Sequence, residues 1–166
     1  MRLITLTKNQ FAKVDDDMYE ELMEYKWQAA YDKKTRSFYA IRTSRVDGNK
    51  STIRMSRVVA RAPSSKMVDH DDHDTLNNTL SNLRICTSSE NACNRRPKSN
   101  SISGYKGVAF YKSTSRWVAH IRVDKKLKHL GYFKCKHDAA KAYNLAAMEY
   151  QGEFAYINII DRIHNG

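Results

Sequence analysis

Apolar and polar positions change rhythm several times along this chain, and each change predicts an element. Val14-Asp15-Asp16-Asp17 reads as a helix start, because acidic side chains are favoured at the positive end of a helix dipole. Met18, Leu22 and Tyr25 follow at helical spacing, which closes near Trp27. Two β-prone runs, SFYAIRTS (37–44) and KSTIRM (50–55), flank VDGN (46–49) and predict a hairpin around an Asp-Gly turn. MSRVVARA (55–62) predicts a short helix that Pro63 stops. LRIC (83–86) is a short β-like run, after which Thr87 or Ser88 can cap a helix through Glu90 and Asn94.

RRPKSNSIS (95–103) has one apolar side chain, one proline and three positive charges, so it reads as a basic linker between two domains, 1–94 and 104–166. In the second domain GYKGVAFYK, RWVAHIRVD and LKHLGYF are three runs rich in aromatic and β-branched residues, at hairpin spacings. They predict a three-stranded antiparallel sheet. HDAAKAYNLAAMEYQG (137–152) predicts a helix with Ala139, Ala142, Tyr143, Ala146, Ala147 and Tyr150 along one face and Gly152 at its end. The fold class expected is α+β, with the three-stranded sheet packed on one helix.

Charge sharpens this division. The chain of 166 residues carries a formal net charge of +11. From Arg95 to Lys136 there are twelve Lys plus Arg and a single acid, Asp124, so this segment holds the whole excess. A positive field so concentrated attracts a polyanion, and nucleic acid is the expected partner. The cysteines at 86, 93 and 135 form no C-x-x-C pair, which argues against a disulfide scaffold and a four-thiolate zinc site. No run of eighteen apolar residues predicts a membrane span, and MRLITLTKNQFAKVDDD is not a secretory signal. A cytoplasmic location is expected.

The densest chemistry lies in VDHDDHDTLNN (68–78). A calcium loop fails there, since Asp74 stands where an EF-hand needs Gly and Leu80 where it needs Glu. His70 and His73 are three apart, but no cysteine pair or third histidine completes a zinc set. If 68–94 folds as strand, loop, strand, helix, Asp69, His70 and Asn91 can converge. Asp69 offers a carboxylate oxygen and Asn91 an amide oxygen, hard ligands that suit Mg²⁺. His70 can take a proton from water near neutral pH.

VDHDDHDTLNNTLSNLRICTSSENACN (68–94) resembles the HNH, or ββα-metal, homing endonucleases of phages and mobile introns. The pattern is Asp-His, a loop rich in Asn and Asp, then S-N-L-R, then S-x-x-N on a helix. FAKVDDDMYEELMEYKW (11–27) is similar to the N-terminal region of phage members. The resemblance implies a ββα-metal nuclease module in 1–94 that hydrolyses DNA phosphodiesters. Asp69 and Asn91 would hold one Mg²⁺ or Mn²⁺, and His70 would be the general base, with His73 in reserve. Asn82 would orient His70 or brace the loop. Members often have His-Arg where this chain has Ser56-Arg57.

YKGV (105–108), RWVAHIR (116–122), LGYF (130–133), AAKAY (139–143) and GEFAYIN (152–158) resemble a second family, the Apetala-two or ethylene-response-factor DNA-binding domain. It implies a sheet lying in the major groove. Lys106, Tyr111, His120, Arg122 and His129 would lie on the DNA side. Alternation supports part of this, since His120 and Arg122 share a face while Ala119, Ile121 and Val123 take the other. Lys125, Lys126 and Lys128 would meet phosphates, and the linker with Arg95 and Arg96 would bind DNA by tracking a groove or the backbone. Ala109 and His129 replace the arginine and tryptophan common in that family, so base specificity does not transfer.

The expected function is a site-specific endonuclease of homing type on double-stranded DNA, acting as a monomer or weak dimer, and in a host bacterial cytoplasm if phage-encoded. One alternative is a DNA-binding regulator with a silent nuclease centre, which Ser56 keeps open. Another is a loosely specific degradative nuclease.

Overall fold

The computed structural model describes residues 1–160, and of Val46 only the backbone. The last six residues of the expected domain 104–166 lie outside the described residues. The chain divides into two units, Met1–Asn91 and the residues from Ala92 onward. Both are α+β, built from small antiparallel sheets and few helices.

In the first unit β1 (Arg2–Thr5) and β2 (Phe11–Val14) form a hairpin whose inward positions, Ile4, Ala12 and Val14, are buried. Helix α1 spans Asp16–Met23, with Asp16 and Asp17 in its first turn. It stops short of Trp27. The Trp27 indole N–H donates to the Leu22 carbonyl at 2.7 Å and so satisfies a helix-end acceptor. The chain then continues as a strand the pattern did not predict, β3 (Gln28–Asp32), which pairs with β4 (Ser37–Val46). The predicted hairpin is present as β4 and β5 (Asn49–Arg54), with Asp47 and Gly48 at positive φ in its turn. Helix α2 (Met55–Val59) buries Met55 and Val59 in a core shared with Leu22, Trp27, Ala29, Ala40 and Leu83.

Strands β6 (Met67–His70) and β7 (Leu83–Cys86) pair antiparallel, with Asp69 opposite Arg84 and His70 opposite Leu83. Helix α3 (Ser88–Cys93) follows. Strand, loop, strand and helix thus stand in the predicted order.

In the second unit β8 (Val108–Tyr111), β9 (Arg116–Val123) and β10 (Lys126–Phe133) form one sheet with β9 in the centre. Helix α4 (Lys136–Gln151) lays Ala139, Ala140, Tyr143, Ala146 and Ala147 against it. Small side chains let the helix approach closely. Tyr150, expected on that face, is 40% exposed. Gly107 is required where it stands. Its φ is +73°, and an added Cβ would lie 2.0 Å from Cδ2 of Tyr143.

Candidate functional site

The β6–β7 register builds the centre of the first unit. Cross-strand neighbours on one face can touch, and Arg84 donates from Nη2 to Oδ2 of Asp69 at 2.6 Å. Its Nη1 reaches Oδ1 of Asp71 at 2.8 Å. The Asp69 carboxylate is buried and held by a guanidinium. His70 is 6% exposed and Asn78 1%. Nε2 of His70 lies 3.5 Å from Oδ1 of Asn78. The Asn78 amide donates from Nδ2 to the Leu76 carbonyl, so its oxygen is the atom that faces the histidine. An acceptor there favours a proton on Nε2 of the neutral ring. Burial pushes His70 below its ordinary pKa of 6.5, although Asn78 and the carboxylates of Asp69, Asp72 and Asp74 pull upward.

Asn82 does not meet His70; it braces the loop. Its Nδ2 donates to Oδ1 of Asp72 at 2.9 Å and to the Asn77 carbonyl at 2.8 Å, while its Oδ1 accepts the Asp72 N–H. Of the two roles the resemblance allowed Asn82, the geometry thus gives bracing. The contact to histidine belongs to Asn78. Burial opposes ionisation of Asp72, but hydrogen bonds from Asn77, from the Asp74 backbone and from Asn82 outweigh it and hold that carboxyl below its usual range. The loop is also pinned to the N-terminal hairpin. Lys13 N–H donates to the Leu76 carbonyl and Asn78 N–H to the Lys13 carbonyl, at 2.9 and 2.8 Å. His73 sits in the turn with φ +64°, its N–H on the His70 carbonyl.

A capping box sets where α3 begins. The Thr87 N–H donates to Oε2 of Glu90, and the Glu90 N–H to Oγ1 of Thr87, at 2.6 and 3.2 Å. Asn91 stands one residue later, its N–H on the Thr87 carbonyl. The same N–H lies against the Cys86 thiol, two positions along β7 from the partner of Asp69. Among the described residues no three His, Cys, Asp or Glu side chains form a metal-holding group. The chemistry of Asp69 and Asn91, one carboxylate and one amide, fits a hard divalent cation that completes its shell with water and phosphate. Ser56 is buried on α2. Its neighbour Arg57 donates to the carbonyls of Ala62, Pro63 and Lys66 and shapes the turn before β6.

The second unit presents a different surface. Pairing places Tyr111, Arg116, Val118, His120, Arg122, Leu127, His129 and Tyr132 on the sheet face away from α4. Tyr132 packs against His129 and Tyr111, with ring centroids 4.7 and 6.2 Å apart. Burial lowers the His120 pKa, and His129 and Arg122 add to the effect. Lys128 is opposite Ile121 and so on the helix side, its ammonium 4.0 Å from the Tyr150 ring centre. Lys126 shares that side with Val123, while Lys125 occupies the turn at φ +65°.

Lys106 is not on the outer face. Its ammonium donates to the carbonyls of Ala92 and Cys93 at the end of α3, with the Tyr156 ring 5.6 Å away. Burial drops its pKa to about 8. Carbonyls at the negative end of a helix attract a cation, and that attraction draws the side chain inward. Arg95 and Arg96 are exposed in a stretch without helix or strand.

Sequence reasoning missed Asn78, Arg84, Arg116 and Tyr132. Arg84 stood inside the quoted S-N-L-R, and Arg116 and Tyr132 follow from the β9 and β10 alternation. Asn78 had no signal beyond its place in the Asn-rich loop.

Residues 58–93 match the family model of the HNH endonuclease. An uncharacterized HNH endonuclease of Acanthamoeba polyphaga mimivirus is 33% identical over 162 residues, covering 93% of this chain and 78% of that protein. An AP2-like ethylene-responsive transcription factor of Arabidopsis thaliana is 46% identical over 66 residues, which is 40% of this chain and 13% of that protein. An APETALA2-like protein of Oryza sativa subsp. indica is 47% identical over 64 residues, 39% of this chain and 14% of its own. The plant likenesses fall on a C-terminal part of the chain. The viral relative covers nearly all of it, and the chain therefore belongs to the HNH endonuclease family.

Proposed function

We propose that the protein is a site-specific DNA endonuclease of homing type. One observation carries the reading: a buried histidine, held by Asn78 and flanked by the Arg84-paired Asp69, sits on the strand that pairs with the S-N-L-R strand. His70 accepts a proton from the attacking water. Burial keeps its ring neutral near neutral pH, the form a base needs. Asn78 orients the ring, and Asn82 holds the loop that carries Asn78. Asp69 and Asn91 would hold a divalent cation, Mg²⁺ or Mn²⁺. Such a cation would supply Lewis-acid stabilisation of charge developing on phosphate and on the leaving 3′ oxygen.

The second unit serves recognition of double-stranded DNA. His120, Arg122, His129 and Tyr111 are the base-facing candidates, and Lys125, Arg95 and Arg96 suit phosphates. Tethering the two functions through residues 95–103 raises the effective concentration of the second contact. The likeness to plant transcription factors supports a DNA-reading role for this part. It equally suits a regulator with a silent nuclease centre.

Cleavage of supercoiled DNA carrying a library of candidate sites separates the two. Cuts at one locus that vanish with EDTA, and fall by about 100- to 10,000-fold in His70→Ala, are expected. His70→Ala should bind as the unmodified protein does. Tight binding without cleavage would leave the regulator.

A further inference from the structure

The first unit has a second cationic surface, on the β3–β5 sheet. Phe38 and Ala40 of β4 face the core, so Tyr39, Ile41, Thr43 and Arg45 point the other way. Register sets Arg54, Thr52 and Lys50 of β5 opposite Ile41, Thr43 and Arg45, on that same outer face. Arg45, Lys50 and Arg54 are exposed. From β3 the face receives Gln28, Ala30 and one acid, Asp32. Oδ1 of Asp32 accepts the Lys34 N–H at 2.8 Å, and Lys33 and Lys34 add two more cations beside it. Together they line a shallow cavity of about 410 Å³ with Tyr39 and Arg54.

This face leads to the histidine. The Arg54 guanidinium stacks 4.3 Å from the Tyr39 ring centre, and that ring meets His70 edge-on at 6.5 Å. Stacking fixes Arg54 while leaving it reachable. From Arg54 to Lys50 the strand runs about 13 Å, the length of about four base-pair steps along a duplex axis at roughly 3.4 Å each. Hydroxyls of Thr43 and Thr52 lie between the cations, and phosphates accept from hydroxyls as well as from Arg and Lys. Among the described residues the apolar side chains there are Tyr39, Ile41, Ala30 and, at the cavity, Tyr31, too few for the apolar centre of a protein interface.

We propose that the outer face of the β3–β5 sheet is a second duplex-DNA surface, on which Arg54, Lys50 and Arg45 hold phosphates of the strand leading away from His70. This rests on the reading of His70 as lying at the scissile bond. The contact is to the backbone, so it contributes equally on every sequence.

The test uses the full chain with EDTA and a labelled duplex of about thirty base pairs of arbitrary sequence, titrated from about 50 to about 200 mM salt. Arg45→Ala/Lys50→Ala/Arg54→Ala should flatten the log–log salt slope by about 3. A control triple, Lys8→Ala/Arg61→Ala/Lys66→Ala, removes the same charge elsewhere on the unit and should change the slope by less than about 1. Equal slopes in the two triples, or no change in the first, overturn the proposal. Lys50→Gln alone, near the hairpin end, should lower the slope by about 1 and decides the matter should the triple fail to fold. If His70→Ala cuts DNA as the unmodified protein does while the triples still differ, the role of His70 falls and the phosphate surface stands.

Discussion

The polar residues of the two units live under opposite conditions. In the first, Asp69, His70, Asn78 and Asn82 are each no more than 7% exposed and held by one another, by the loop or, for Asp69, by Arg84 on β7. In the second, Tyr111, Arg116, Arg122, His129 and Tyr132 stand in the open on one sheet face. The difference separates chemistry from binding. A base must be held in one geometry and one protonation state, and burial with partners does both. A reader of DNA must reach outward, where its side chain can meet a base or a phosphate. Lys106 marks the boundary between the two cases: its ammonium is spent on the carbonyls of Ala92 and Cys93.

The largest test of this contrast is Arg84→Met. It takes the guanidinium from the buried Asp69 carboxylate and should destabilise the first unit by about 3–5 kcal/mol, the usual cost of removing one partner of a buried ion pair. Urea unfolding followed by Trp27 fluorescence, with Trp117→Phe to remove the other tryptophan, reads it. A loss below about 1 kcal/mol would mean that the ion pair behaves like a surface one. On the open sheet the prediction inverts. Arg122→Ala should weaken DNA binding by about 1–3 kcal/mol while leaving thermal stability unchanged within about 0.5 kcal/mol. Equal losses in both measurements would make Arg122 structural.

A third test concerns pH and Lys106. Its folded pKa, about 8, is below its ordinary 10.5. Between those values the unfolded chain binds the extra proton, so stability from this group rises with pH. The cost of burying the charge is fully present below about pH 8 and is relieved toward pH 10.5. Stability of the unmodified protein relative to Lys106→Met should therefore climb across that window, measured by amide exchange in α4. A difference that stays flat with pH would place the ammonium in ordinary solvent.

Much of this molecule is local and hence legible in the amino-acid order. The Asp-Gly hairpin, the alanine face of α4 and the β9 alternation follow from periods of two and 3.6 residues. The Thr87–Glu90 capping box fits the predicted start of α3. The concentration of charge between Arg95 and Lys136 needs no structure at all. So does the spacing of Asp69, His70, Asn82 and Asn91. Periodicity assigns a residue to a face but does not say which side chain it meets across a strand or loop. That choice depends on register and loop path, which only the tertiary structure decides. The β6–β7 register joined Arg84 to Asp69. The pairing of the loop with β2 brought Asn78, rather than Asn82, to His70. The Ala92 and Cys93 carbonyls at the end of α3 turned Lys106 inward from the role its motif implied.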